Sequence, residues 1–224
     1  MVNTAIESIY QMSYTDAYIY INSQKVDGYQ HNIVQWGPEF ISVCQRIELF
    51  FIGKVNNTIL EIGSYTGGSL TLLSKTINQP VGTLIAIEPG SSAKFLEGLV
   101  KETVLPHTLF HIAGFSYDIV VQKAVEDLVE MYGKVTVLHI DGDHTYEGCM
   151  ADFRNYYRFM RSFSIIVFHD IISAPGVFRA YSDIKRLYKS WYTKSEEIID
   201  IAHTDICNGN GLLFIDLQSN EKGN

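Results

Sequence analysis

Two short stretches of this sequence gather side chains able to do chemistry. In Ile140-Asp141-Gly142-Asp143-His144-Thr145-Tyr146-Glu147, three carboxylates and an imidazole fall close together, and Phe168-His169-Asp170 adds another imidazole and carboxylate. Each follows an apolar run of strand length, so both sit at strand ends. Neighbouring parallel strands lie about 4.8 Å apart, which lets Asp141, His169 and Asp170 converge on one point. Carboxylates gathered without Lys or Arg repel one another unless a proton or cation intervenes. A hard divalent ion that keeps some of its water suits such a set: Mg²⁺ first, with Mn²⁺ or Fe²⁺ also served by an imidazole. Helix capping by Asp143 or Thr145 ahead of Tyr146 explains one or two of these residues, not all of them.

Two further stretches could hold a ligand. Glu61-Ile62-Gly63-Ser64-Tyr65-Thr66-Gly67-Gly68-Ser69 reads as a strand, a glycine turn and a helix start. Glycines permit close backbone approach, and the helix start offers free N–H donors. Tyr65 stands where a dinucleotide fingerprint needs its second glycine, which disfavours NAD. Glu88, before Pro89-Gly90, can accept both hydroxyl protons of a ribose. Gly114-Phe115-Ser116 forms a loop suited to a planar ring, whereas His111 and His139 fall inside apolar strands and read as core residues.

These groups must be positioned by a scaffold, and the sequence lays one out. Thr58–Ile62, Gly82–Glu88, Thr108–Ala113, Val135–Asp141 and Ser164–Asp170 are almost continuously apolar, as strands covered on both faces must be. Helical patterns at Ser69–Asn78, Ser92–Val104, Tyr117–Met131 and Tyr146–Met160 provide right-handed parallel crossovers. Two more strands, Glu197–Ala202 and Gly211–Leu217, flank a turn-rich Asn208-Gly209-Asn210-Gly211 and imply a final antiparallel return. Before Thr58, Trp36-Gly37-Pro38-Glu39 starts a helix whose apolar face runs from Phe40 to Phe51. Residues 1–30, rich in Tyr and Ser, read as a cap or arm, either a lid or a contact between copies. The organisation is residues 1–57 as arm and helical cap, 58–218 as one α/β domain, and 219–224 as a tail.

Composition narrows the biology. The 224 residues carry 17 basic and 25 acidic side chains, a net charge of −8. Duplex or anionic-membrane partners need a basic face and are not expected. Three scattered cysteines form neither a CxxC pair nor a disulfide set. With no signal-peptide pattern and no apolar run of membrane length, the expectation is a cytoplasmic protein.

EIGSYTGGS, IEPG, IDGDHTYEGCMADF and IIVFHDI together resemble class I S-adenosylmethionine-dependent methyltransferases over about Thr58 to Leu217. Within that superfamily the chain is most similar to metal-dependent small-molecule O-methyltransferases of the macrocin and cephamycin-pathway type. The resemblance implies a doubly wound, Rossmann-like α/β fold: a seven-stranded sheet, mostly parallel, with the last strand antiparallel. It implies cofactor contacts from Glu61, Gly63, Ser64, Tyr65 and Gly67 to the methionine part, with Ser69 and Asp141 nearby. Glu88 would hold the ribose and Ser116 would lie near the adenine. Asp141, His169 and Asp170 match the positions of the metal ligands, although His169 replaces the family's usual acid or amide. His144 matches the base, where catechol-type enzymes carry a lysine and sugar-type relatives a histidine. The implied reaction is methyl transfer to a hydroxyl of a small molecule, a sugar or natural-product intermediate, by a homo-oligomer. The alternatives are a metal-independent methyltransferase of the same fold, a catalytically silent cofactor-binding subunit, a nicotinamide oxidoreductase, and a nucleic-acid methylase disfavoured by charge.

Overall fold

The computed structural model describes residues 9–26, 29–30, 33, 35, 37–90, 94–203 and 207–217. Its centre is a seven-stranded sheet made of β1 (Thr58–Ile62), β2 (Thr83–Ile87), β3 (Thr108–Ile112), β4 (Val135–Ile140), β5 (Met160–His169), β6 (Lys194–Ile198) and β7 (Asn210–Asp216). Spatial order is β3-β2-β1-β4-β5-β7-β6. The pairs from β3 through to β5 are parallel, and β7 runs antiparallel to both β5 and β6. β1, β2 and β4 are buried along their whole lengths, as their continuous apolar runs require.

Helices cover both faces. On one side lie α1 (Tyr14–Ser23), α2 (Gly37–Phe50) and α3 (Gly68–Ser74), sharing a core with Ile59, Val137, Val167 and Leu212. α2 buries Phe40, Val43, Cys44 and Ile47, one stripe at helical spacing. A short π-helical turn, Phe95–Val100, runs into α4 (Lys101–Thr103). On the other side α5 (Ile119–Tyr132), α6 (Tyr146–Tyr156) and α7 (Pro175–Leu187) pack over Leu60, Leu138, Ile166 and Leu213. Among the described residues no helix is long and apolar enough to cross a membrane. Cys44, Cys149 and Cys207 are buried, and none is in a disulfide among the described residues.

Several boundaries differ from the sequence expectation. α6 ends at Tyr156, a 3-10 turn follows, and β5 begins at Met160. α3 stops at Ser74 rather than Asn78. β6 lies at Lys194–Ile198, not Glu197–Ala202. It is a half-exposed edge strand whose Lys-Ser-Glu-Glu run hides it from an apolar pattern. Residues 201–203 instead make a 3-10 turn. Before it, buried Glu39 of α2 accepts the Asp200 N–H at 2.6 Å, as well as those of Asn208 and Gly209. α7 begins at Pro175, in the segment that follows β5 and Asp170.

The arm packs on its own chain. Tyr10 donates to the Val104 carbonyl at 2.9 Å, Lys75 Nζ grips the Ile9 and Met12 carbonyls, and Tyr14, Tyr18 and Tyr20 lie against the core. The Tyr29 side chain and residues 1–8 fall outside the described residues.

Candidate active site

The strand register sets the level of the site. Ile62 lies beside Ile87 and Ile140, and Ile140 beside Phe168. The residues that follow, Gly63, Glu88, Asp141 and His169, therefore stand side by side along one edge. The chain winds outward from β1 to β3 and returns to β4, so the crevice between β1 and β4 is the switch point where such sheets bind ligands. A cavity of about 780 Å³ occupies it.

Gly63, Ser64, Tyr65, Ser69, Glu88 and Ser116 line this cavity as expected. Gly63 has φ +83°, and a Cβ there would run into the Asp141 carbonyl, so β1 and β4 approach too closely for any other residue. Tyr65 also has positive φ, 44°, and its N–H donates to Glu88 Oε2 at 2.9 Å. Burial raises the Glu88 pKa, against the lowering effect of that N–H.

Glu61 and Gly67 do not line the cavity. Glu61 is fully buried, its Oε1 2.7 Å from His139 Nδ1, a hydrogen-bonded contact between adjacent strands beneath the site. Its position in an apolar run resembles that of a ligand contact, but its side chain lies against His139, whose ring is 5.5 Å from that of Phe40 in α2 at a tilted angle. Gly67 closes the turn, donating its N–H to Ser64 O and accepting from Thr71. His111 joins the neighbouring backbone, its Nε2 being 3.1 Å from Glu88 O.

The other end of the cavity holds Asp141, His144, His169 and Asp170. His169 Nδ1 lies 2.9 Å from Asp141 Oδ1 and 3.3 Å from Asp170 Oδ2. His144 Nε2 lies 3.1 Å from Asp170 Oδ2 and 3.5 Å from Asp141 Oδ1. Burial alone would raise the Asp141 pKa, but the His169 charge and hydrogen bonds from both histidines hold it well below the carboxylate range. Burial pulls His169 down, and the two aspartates outweigh it and lift the imidazole to about 10. Hydrogen bonding to Asp141 and the Asp170 charge raise His144, whose side chain is 51% exposed. Asp170 sits at φ 62°, a conformation few side chains adopt, with Ser173 Oγ on its Oδ1 at 2.5 Å. Strained backbone of this kind clusters at functional sites.

Donor atoms of Asp141, His144 and Asp170 come within 4.8 Å of one another. Thus the structure brings His144, rather than the expected His169, into the three-donor cluster; His169 braces both carboxylates from the buried side. Gln35, Asn208 and Asp152 are among the lining residues not singled out from the sequence. Gln35 of the arm donates to Asp141 Oδ2 at 2.6 Å, Asn208 comes from the loop before β7, and Asp152 rises from α6.

A family model described as a methyltransferase domain matches residues 60–171, from β1 through the strand-five aspartate. The chain belongs to this methyltransferase family. An uncharacterized protein of Acanthamoeba polyphaga mimivirus is 32% identical over 121 residues, 52% of each chain. The chain thus spans about half the length of the curated relative it matches. Two solved structures share the methyltransferase fold at low identity. Cofactor-bound Rv0187 from MTB has a TM-score of 0.61 at 14% identity, covering 96% of this chain and 93% of its own. The O-methyltransferase from Bacillus cereus, in complex with SAH, has a TM-score of 0.59 at 13% identity with the same coverage.

Proposed function

We propose that this protein transfers a methyl group from S-adenosylmethionine to a hydroxyl of a small molecule, a sugar or natural-product intermediate, with His144 taking the hydroxyl proton. One observation carries the reading. The glycine turn at Gly63, the acid Glu88 and the exposed His144 line a single cavity, with two carboxylates behind the imidazole.

Each part has a task. The Gly63–Tyr65 turn and the α3 N-terminus receive the amino-acid end of the cofactor, and Glu88 receives the ribose hydroxyls. Asp141, Asp143 and Asp170 line the acceptor end with no Lys or Arg among the described lining residues, a field that favours a sulfonium cation. The sulfonium supplies an electrophilic methyl and a good leaving group, so the protein mainly aligns an oxygen nucleophile. The O–H bond breaks with its proton moving to His144 Nε2. The oxygen lone pair forms the new O–C bond, and the C–S pair returns to sulfur. Asp141 and Asp170 keep His144 basic enough to accept that proton.

The donor set of Asp141, His144 and Asp170 also fits a divalent ion. When bound there, such an ion would lower the pKa of the acceptor hydroxyl. Its coordination by His144 Nε2 would exclude that nitrogen as a base. A second reading is favoured by the position of His169, whose raised imidazole already offsets part of the charge of the two carboxylates: methyl transfer without metal. One experiment separates them. His144→Ala should lower turnover by roughly 10²–10⁴ while S-adenosylhomocysteine still binds. Full turnover after chelation would assign His144 as the base, whereas loss restored by Mg²⁺ or Mn²⁺ would assign it to the ion. Unchanged turnover in His144→Ala would remove it from the mechanism.

A further inference from the structure

His111 reads from the sequence as a core residue, and the reaction derived above makes no use of it. It lies on β3 opposite Ala86 of β2, and its side chain is 3% exposed. The ring reaches forward along the neighbouring strand. Its Nε2 comes 3.1 Å from the Glu88 carbonyl oxygen, while Nδ1 stands 3.5 Å from Glu97 Oε1. A carbonyl only accepts hydrogen bonds, so Nε2 carries the proton that makes this one. The imidazole does not line the crevice; it borders a separate cavity of about 360 Å³ together with Glu97 and Lys101. Its influence on a ligand in the crevice therefore passes through Glu88.

Glu88 needs such a support. β2 ends at Ile87, so Glu88 stands just beyond the paired strand, and Pro89-Gly90 turns the chain away at once, with Gly90 at φ +80°. Past the ladder, a backbone keeps its direction through the bonds its own peptide groups make. Glu88 N–H donates to Ile112 O at 3.2 Å. Glu88 O accepts from Gly90 N–H at 2.8 Å and, at a long 3.4 Å, from Gly114 N–H. The Gly90 bond is internal to the turn and moves with it, so His111 is the side chain that ties this carbonyl back to β3. At the other end of the same residue, Tyr65 N–H holds Oε2 at 2.9 Å and leaves Oε1 to a ligand.

The second ring nitrogen brings in another wall. Glu97 belongs to the π-helical turn Phe95–Val100, whose Leu96 and Val100 sit so close to Gly67 that a Cβ there would meet them at 2.7 and 2.8 Å. Single π-helical turns recur at functional sites. One imidazole thus links the turn that backs the glycine loop to the acid at the end of β2. A site holds its ligand closely only when groups behind the contacting residues lock them in place.

Building on the adenosyl-cofactor reading, we propose that His111 is a positioning residue that aims Glu88: by holding the carbonyl, it sets the carboxylate towards the ribose hydroxyls. Without that bond the Pro89-Gly90 turn follows its local contacts alone, and the carboxylate loses its fixed direction. The loss falls on the ribose hydroxyls, because the imidazole does not itself line the crevice.

Calorimetric affinities for S-adenosylhomocysteine and its 2′-deoxy analogue test it. The unaltered protein should favour the ligand with both hydroxyls by about 10- to 100-fold, the worth of a hydrogen bond to a carboxylate. In His111→Leu the affinity for S-adenosylhomocysteine should fall about tenfold and that for the analogue much less, so that the ratio narrows. His111→Gln places an amide N–H close to the former Nε2 and should restore affinity and ratio to within about threefold. His111→Asn, whose shorter amide stops near the former Nδ1, should behave like the leucine variant and keeps the test open if leucine disturbs the fold. An equal fall for both ligands would assign the ring to packing alone and overturn the inference, as would a glutamine variant that restores nothing. S-adenosylhomocysteine binding with no penalty for the missing hydroxyl would also overturn it, while sparing the adenosyl reading. No binding of S-adenosylhomocysteine by the unaltered protein would remove that reading, and the inference with it.

Discussion

His169 turns one ring nitrogen towards both Asp141 and Asp170, and the chain buries His169 and Asp170 and partly buries Asp141. A buried charge unpaired by mutation typically costs about 3–5 kcal/mol, so this arrangement ties stability to pH. The His169 pKa is raised to about 10. Its contribution is complete below the unfolded value of about 6.5 and is lost as pH rises through about 10. Asp141 is depressed, so its contribution is complete above about 3.9 and is lost as pH falls below that. Denaturant melts of the unaltered protein should therefore weaken steadily between about pH 6.5 and 10. His169→Asn should be less stable at pH 6.5 by about 3–5 kcal/mol and should show a much flatter slope over that window. Matching slopes in the two proteins would mean that the pair does not carry the linkage. At this scale much of the site could be read in advance, because Asp141, His144, His169 and Asp170 occur in two dense runs. Gln35 could not, since it meets Asp141 across 106 positions and nothing in its own neighbourhood marks it. Glu61 misled because an acid at a strand end looks the same whether it faces a ligand or a neighbouring histidine.

Elements bring these residues together, and α7 does so in an unexpected place. Gly176 in its first turn lies so close to the turn bearing His144 that a Cβ would meet His144 O at 2.6 Å and Tyr146 N at 2.7 Å. The helix thereby packs directly against the backbone of the turn that carries His144. Gly176→Ala should push that turn away, lowering turnover by about 10-fold or more, since misplacing a reacting group by an ångström is costly. Affinity for S-adenosylhomocysteine should change little, because the glycine turn and Glu88 are untouched; unchanged turnover would mean that α7 does not position His144. The spacing of Val177, Ala180, Tyr181 and Ile184 behind Pro175 carries the signal for this helix. It is diluted by Arg179, Asp183, Lys185 and Arg186 on the open face, whereas the parallel strands are apolar on both faces and stand out. The edge strand β6 escaped for the same reason, being polar where it meets solvent.

The whole molecule combines an acidic chain with an acidic cavity, net charge −8 and carboxylates at both ends of the crevice. Such a surface favours a cationic cofactor and a neutral acceptor. The mostly parallel sheet and its antiparallel last strand follow the pattern expected from the apolar runs and the final hairpin, because five such runs joined by crossovers leave few ways to build a sheet. The acceptor was not legible, since recognition usually lives in loops, whose sequences carry no periodic signal. The proposed reaction requires this crevice to hold an adenosyl sulfonium and not a dinucleotide. Thermal melting with S-adenosylmethionine, S-adenosylhomocysteine and NAD in turn, each with and without Mg²⁺, tests it most directly. A ligand at one hundred times its Kd adds about 2.7 kcal/mol. Both adenosyl ligands should then raise the midpoint by roughly 5–10 °C for a chain of this size, with NAD leaving it unmoved. A midpoint that ignores both adenosyl ligands, or moves with NAD alone, would contradict the claim.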